Sequence, residues 1–213
     1  MSRRTSPGLS RERVVEAGLN LVDREGVGAL TMRRLGRELG VEAMSLYGYV
    51  TNKQDLLDGV VDRVYGELVP PDVEGSWQAQ LREAARSFRR VLLRHPNTVN
   101  LVAARPIVGD GNLAMAEGAL GQMRACGLDL VRASQVVTVV ISFTVGHVAS
   151  EVDQGFGYDG DPRFVPDVDP RRFPNVAERC MLGPLDRDAS FVLGLDFVVA
   201  GAEQLMTGVL ATN

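Results

Sequence analysis

Three arginines, Arg33, Arg34 and Arg37, crowd one short stretch of the chain, and Thr31, Ser45, Tyr47 and Lys53 stand close on either side. Hydroxyl, phenol and ammonium groups hold phosphate oxygens, and an arginine fork can take guanine O6 and N7 together. One such pair discriminates by about 1–3 kcal/mol. A single surface arginine is more often just part of a solvated helix face, so it is the combined spacing, not any one arginine, that carries the reading toward duplex nucleic acid. Other chemistries lack their groups. There is no Gly-x-Ser-x-Gly elbow or His-Glu-x-x-His, and two histidines are too few for the usual triads. Glu151 and Asp153 are close in sequence, yet side chains at that spacing on a helix do not face each other. Cys126 and Cys180 form no Cys-x-x-Cys motif, which argues against a disulfide framework and a zinc site. Asp159-Gly160-Asp161-Pro162 lacks the alternating ligands of a calcium loop, and Gly109-Asp110-Gly111-Asn112 lacks the lysine of a phosphate loop. No cofactor and no metal are expected.

The elements that must position these residues are helices. Thr31 can cap one whose apolar positions are Leu35 and Leu39, and Gly40 sits where a residue of positive φ would end it. Glu42 to Tyr49 then reads as a second helix of about two turns, its apolar side made by Val41, Leu46 and Val50. Helices below roughly 12 residues are not stable alone, so neighbours must hold it. Asn52 caps a third, carrying Leu56, Leu57, Val60, Val61 and Val64. A helix from Ser10 to residue 25 supplies Val14, Ala17, Gly18, Leu21 and Val22. This is the layout of a helix-turn-helix DNA reader. Up to Lys53 there are nine basic residues against six acidic ones, while the remainder holds 14 against 21, for a net charge of −4. A basic head on an acidic body binds polyanions through local placement of cations. Arg3 and Arg4 can form an arm reaching DNA or a disordered terminus.

From Ser10 to about Leu68 the chain resembles the DNA-binding domain of the TetR family of bacterial repressors. The marks are Leu30-Thr31, Leu39-Gly40-Val41, Leu46-Tyr47, and Asn52-Lys53 followed by Leu56-Leu57. The resemblance implies that residues 42–49 form the recognition helix, with Arg33, Ala43 and Met44 near bases. It implies phosphate contacts for Thr31, Ser45, Tyr47 and Lys53. Arg34 joins the DNA-binding set from its place on the exposed side of the helix that Thr31 caps. Two positions depart from the pattern: Gly48, where a large side chain is common, and Glu42, where a small polar cap is common. Glu42 can cap, suit the helix dipole, or accept a hydrogen bond from cytosine N4.

Val69-Pro70-Pro71-Asp72 and Gly75-Ser76 mark a boundary, giving domains of residues 1–68 and 69–213. Trp77, Leu81, Ala84, Ala85, Phe88, Val91 and Leu92 form one apolar stripe on a helix that Pro96 cannot continue. Residues 112–125 read as a helix ending at Gly127, and residues 130–151 as a long one apolar on every face. Residues 188–211 face Phe191, Leu195, Val198, Val199, Ala202, Leu205 and Val209 inward. Gly194, Gly201 and Gly208 recur every seven residues, a flat strip suited to the approach of another backbone. Two such helices predict a subunit interface built as a four-helix bundle on a two-fold axis. The alternative is a monomer with a thicker core. The run from Val136 to Ala149 reads as too short and too interrupted to span a bilayer, and no cleavable leader is evident, so a cytoplasmic location is expected.

Trp77, Ser87-Phe88-Arg89-Arg90, Arg105-Pro106, Gly127 and residues 191–203 are similar to the C-terminal domain of the tetracycline-repressor subgroup. The resemblance implies a ligand tunnel among the helices between Phe88 and Glu151, and dimerisation through the last two long helices. The subgroup's magnesium-and-drug grip does not carry over, because Val69 and Ser142 stand where its histidines would be. Phe88, Arg105, Pro106, Met123 and His147 are the ligand-binding candidates, each with ordinary core packing as the alternative. They predict a largely apolar, metal-free effector. Residues 153–175 read as a long irregular loop, a lid or a linker.

The expected protein is therefore all-α: a helix-turn-helix domain joined by a linking helix to a helical ligand-binding and dimerisation domain. The expected function is a homodimeric repressor that binds two-fold related operator half-sites and is released by a small molecule. A ligand-binding dimer without operator function and a small-molecule-transforming enzyme are the competing readings.

Overall fold

The computed structural model describes residues 8–69, 75–105, 108–152 and 168–207. Arg3, Arg4, Pro106, most of the expected 153–175 loop, Gly208 and Val209 lie outside the described residues. Among those described, every regular element is a helix, so the all-α expectation stands.

Packing divides the chain into two compact units, Met1–Pro70 with Arg90–Ala119, and Pro71–Arg89 with Leu120–Asn213. The first is built on α1 (Arg11–Glu25), α2 (Met32–Leu39) and α3 (Lys53–Tyr65), each started by the cap its sequence offers. Ser10 Oγ accepts from Arg13 N at 3.3 Å, Thr31 Oγ1 from Arg34 N at 3.1 Å, and Asn52 Oδ1 from Gln54 N and Asp55 N at 2.8 and 3.0 Å. Such caps contribute about 1 kcal/mol each by satisfying amides that the helix leaves free. Leu21, Leu30, Leu35, Leu46 and Leu56 are fully buried between the three helices. Val15 and Leu19 join them, which the expected stripe on α1 omitted.

Residues 90–119 belong to this unit although the sequence boundary puts them in the second domain. They comprise the end of α4 (Trp77–Arg94), the 3-10 turn Pro96–Thr98, α5 (Val99–Ala104) and the start of α6 (Asp110–Ala125). Polar ties explain the grouping. Arg105 Nη1 lies 2.5 Å from Asp58 Oδ1, and Asp62 Oδ1 accepts from Asn112 N at 3.0 Å, which caps α6 from α3. His95 sets Nδ1 2.8 Å from Asp23 and Nε2 3.2 Å from Glu67. No local spacing in the sequence marks His95 for this bridging place between Asp23 and Glu67.

In the second unit, α7 (Leu130–Val152), α8 (Pro174–Met181) and α9 (Arg187–Met206) join the start of α4 and the end of α6. Its core holds Leu81, Ala85, Met123, Leu128, Ala133, Val136, Val140, Phe191, Leu195, Val199 and Ala202. Helix α8 is absent from the sequence expectation, because its eight residues follow a stretch dominated by Asp, Gly and Pro. The apolar residues of α7 are not buried all round: Val131 and Val139 are exposed, as are Leu193 and Phe197 on α9. Helices α7 and α9 are also long and apolar enough to cross a membrane, so the sequence argument from shortness does not hold for α7. In this unit their buried stripes pack into the core just described. Within the glycine strip, Gly194 departs from expectation. A Cβ there would collide with the ring of Phe143, so an aromatic side chain of the same chain fills that place, whereas a Cβ on Gly201 would meet nothing within 4 Å.

Candidate functional site

The reading segment is tighter than predicted. In place of a helix over residues 42–49, a 3-10 helix spans Ala43–Gly48, and Glu42 makes no side-chain cap. With no cap at its start and Gly48 inside it, so short a segment gains little from α-helical bonds. Ser45 N donates to Glu42 O and Tyr49 N to Leu46 O, both at 2.9 Å. Neighbouring elements hold it in place. Gly40, at φ 69°, ends α2, and Val41 N donates back to Gly36 O at 2.9 Å. Gly36 is what lets the two segments cross so closely, since a Cβ there would sit 2.8 Å from the Val41 carbonyl oxygen. From the other side, Arg11 Nη1 donates to Tyr49 O at 3.0 Å, and the same guanidinium forks onto Asp55 at 2.6 and 3.2 Å. Asp55 in turn accepts from Thr51 N at 2.7 Å. Arg11's hydrogen bond, helped by those from Thr51, lowers the Asp55 carboxyl to about 2 against burial acting the other way.

This framework leaves Met44 at 76% and Tyr47 at 45% exposure, with Ser45 and Thr31 also exposed and Ala43 half-buried. Arg33 and Arg37 are exposed and Lys53 is half-buried. Among the described residues none of these three side chains has a hydrogen-bond or ion-pair partner. Other cations of the head are neutralised. Arg24 pairs with Glu38, Arg63 with Glu16 at 2.9 Å, and Arg34 with Glu25 at 2.6 Å. Arg34 is thus engaged within the protein, unlike Arg33 beside it. Its guanidinium is held above its ordinary value by the Glu25 hydrogen bond and charge. Sequence reading missed both this pair and Arg11, because each joins residues from different helices that no local period relates.

The ligand-binding candidates fall in different surroundings. Met123 is fully buried in the second unit's core, and Phe88 is buried too. His147 Nε2 lies 3.0 Å from Glu151 Oε1 and 3.1 Å from the Arg187 carbonyl oxygen, with its ring 5.7 Å from Phe143 and 5.2 Å from Phe191. It is half-buried, with both polar and aromatic neighbours supplied by the chain itself. Arg105 belongs to the first unit, where Asp58 and Gln54 take its guanidinium, and Pro106 lies outside the described residues. The main polar feature near His147 was not predicted. Arg89 forks onto Glu151 at 2.8 and 3.1 Å, reaches Asp188 at 2.6 Å, and stands 4.9 Å over the Phe191 ring. The i,i+4 spacing of His147 and Glu151 was the available signal.

A cleft of about 890 Å³ opens in the first unit, lined by Arg11, Glu16, Asp55, Asp58, Asp62 and Asp110 among others. Three of its acidic walls carry ion-pair partners, Asp55 with Arg11, Glu16 with Arg63 and Asp58 with Arg105, and Asp62 accepts from Asn112 N. Phe88, Arg105, Met123 and His147 do not line it.

Residues 14–60 match the family model described as bacterial regulatory proteins, tetR family, and residues 69–206 match the tetracyclin repressor-like C-terminal domain. An HTH-type transcriptional regulator of Saccharopolyspora erythraea is 36% identical over 149 residues, covering 70% of this chain. The chain spans 63% of that relative's length. The class D tetracycline repressor protein of Escherichia coli is 30% identical over 208 residues, covering 95% of this chain and 93% of that protein. Among solved structures, the TetR family protein ActR of Streptomyces coelicolor in complex with actinorhodin superposes with a TM-score of 0.83. It is 29% identical, over 94% of this chain and 99% of that one.

Proposed function

This chain belongs to the tetR family of bacterial regulatory proteins, a DNA-binding transcription regulator and not an enzyme, and from that premise we propose that it is a homodimeric, ligand-released repressor. Residues 1–68 read the operator, and residues 69–213 bind the effector and dimerise. The observation that carries the reading is the sorting of cations in the head: among the described residues Arg33, Arg37 and Lys53 are left unpaired around an exposed Met44 and Tyr47, while most neighbouring arginines are tied to carboxylates. Arg33, Ala43 and Met44 face bases. Thr31, Arg34, Ser45, Tyr47 and Lys53 face phosphates.

The dimer is supported by α9, where Leu193 and Phe197 stand exposed on a helix with almost no charged face. Two copies would place two short reading segments on half-sites about one helical turn apart, supplying the affinity that one segment lacks. The actinorhodin complex of the similar ActR supports a small-molecule effector, and the apolar surroundings of Phe88 and Met123 favour a largely apolar one. Ligand binding would shift α3 and change the separation of the reading segments. Moving from nearly all DNA-competent to nearly all incompetent requires about 5.5 kcal/mol of differential affinity.

The test is fluorescence anisotropy of the purified protein on DNA from upstream of its own gene, against scrambled competitor, at several salt concentrations. Competition-resistant binding by a dimer with a steep salt slope is expected. Equal affinity for scrambled duplex would favour a ligand-binding dimer without an operator there.

A further inference from the structure

The pairing of Arg34 with Glu25 leaves a donor stranded. Arg34 Nη2 lies 2.6 Å from Glu25 Oε1, yet Arg34 Nε is buried with no hydrogen-bond partner among the described residues. A guanidinium presents Nε and Nη2 as a parallel fork matched to two oxygens of one carboxylate or phosphate, and Glu25 takes one tine only. The two side chains are 38% and 39% exposed, so an incoming anion can reach the pair. Glu25 ends α1, and Arg34 sits in the first turn of α2, the turn capped by Thr31 and carrying the unpaired Arg33.

We propose that Glu25 is an internal competitor of DNA. In the free protein it occupies Arg34, and on the operator a backbone phosphate displaces it and takes Nε and Nη2 together. This rests on the reading of the chain as a duplex-binding regulator and adds to it the residue that sets the threshold for engagement. A half-exposed ion pair in water is weak, whereas a duplex concentrates negative charge and releases condensed counterions when a cation docks. Exchange of carboxylate for phosphate therefore favours DNA only where the register brings a phosphate to the first turn of α2. Elsewhere on a duplex Arg34 remains with Glu25, and non-specific affinity is held down. The exchange also has a salt signature. A new phosphate contact steepens the dependence of log K on log salt by about 0.9, but breaking an internal ion pair at the same time offsets part of that.

The experiment is anisotropy titration of wild type, E25Q, R34Q and the E25Q/R34Q double variant on upstream duplex and on a scrambled duplex of equal length, across a salt series. Thermal unfolding serves as the check of fold, and E25A stands in if E25Q is unstable. E25Q should tighten scrambled-duplex binding by roughly three- to tenfold and steepen its salt slope by up to about one unit. R34Q should weaken upstream binding and abolish the effect of E25Q. An equal gain from E25Q with and without Arg34 would mean general charge relief, and no gain would mean no competition; either overturns the proposal. Tyr47→Phe and Lys53→Gln, measured alongside, separate the two levels. If they weaken binding while E25Q does nothing, the competitor is rejected and the duplex reading stands. If neither they nor R34Q alters affinity, both fall.

Discussion

Arg11 on α1 and Asp55 on α3 meet in a fork of 2.6 and 3.2 Å, and the same guanidinium holds the Tyr49 carbonyl oxygen at the end of the reading segment. One side chain thereby fixes where a segment too short to be stable alone must stop. The Asp55 carboxyl is lowered to about 2, Arg11 being the largest cause. A carboxyl lowered on folding contributes stability that is complete above its unfolded value near 4. That contribution is lost as pH falls through the folded value, so the window is about pH 4 to 2. Asp55→Asn should cost about 1–2 kcal/mol at neutral pH, allowing for solvent screening at half-exposed Arg11. Urea titrations at a series of pH values should show the gap between wild type and variant closing below about pH 3; a gap constant with pH would exclude the ionised Asp55 as its source.

Gly36 invites a second test. Its added Cβ would meet backbone, the Val41 carbonyl oxygen at 2.8 Å and Ala43 N at 3.2 Å, and neither atom can swing aside as a side chain can. Gly36→Ala should therefore displace the reading segment and destabilise the head by about 1–3 kcal/mol, despite alanine's better helix propensity. Denaturation and duplex titration together check this. An alanine variant as stable as wild type would show that the crossing is looser than these distances.

These two sites show what was legible in the chain. Caps are local chemistry, and Ser10, Thr31, Gly40 and Asn52 could be placed because each acts within a turn of its own position. The framework pairs Arg11–Asp55, Arg34–Glu25 and Arg89–Glu151 bridge 44, 9 and 62 residues, and no period of 3.6 connects their members. Gly194 was legible as a place without a side chain, but not as the seat of Phe143. Helix α8 was hidden by composition: Pro174 starts it where a proline costs nothing, and the Asp- and Pro-rich stretch before it reads as loop.

The Arg89–Glu151 fork is well sheltered, with His147 against the same carboxylate. Arg89→Met should be costly, about 3–5 kcal/mol, because Glu151 would be left as a buried charge short of its main partner. Arg89→Met combined with Glu151→Leu should recover much of that loss, since removing both charges removes the desolvation cost. Chemical denaturation of the two variants decides it. A double variant no better than the single one would mean that Glu151 is held adequately by His147.

Phe197 tests the dimer. It is 70% exposed on α9, close to exposed Leu193 one turn before it. A carboxylate at 197 is harmless on a solvated face but cannot be desolvated at an apolar interface without a partner. Sedimentation should find wild type as a dimer and Phe197→Glu as a folded monomer with much weaker operator binding. A dimeric Phe197→Glu protein would move the interface off this face of α9.

Base and phosphate roles within the head separate by what a substitution does to specificity. Tyr47 and Lys53 are assigned to phosphates, which every sequence presents alike, so Tyr47→Ala and Lys53→Ala should weaken upstream and scrambled duplexes together. For Lys53 the salt slope should also fall by about 0.9, the contribution of one phosphate contact. Arg33 has no internal partner among the described residues and sits in the first turn of α2, the helix that precedes the exposed reading segment. If it forks onto a guanine, Arg33→Ala should lose about 1–3 kcal/mol on the upstream duplex and little on the scrambled one. The lost discrimination should concentrate at one base pair of each half-site. Binding a library of single-base variants of the upstream duplex reads this directly. A profile for Arg33→Ala with the same preferences as wild type, uniformly weakened, would reassign Arg33 to the phosphate backbone beside Lys53.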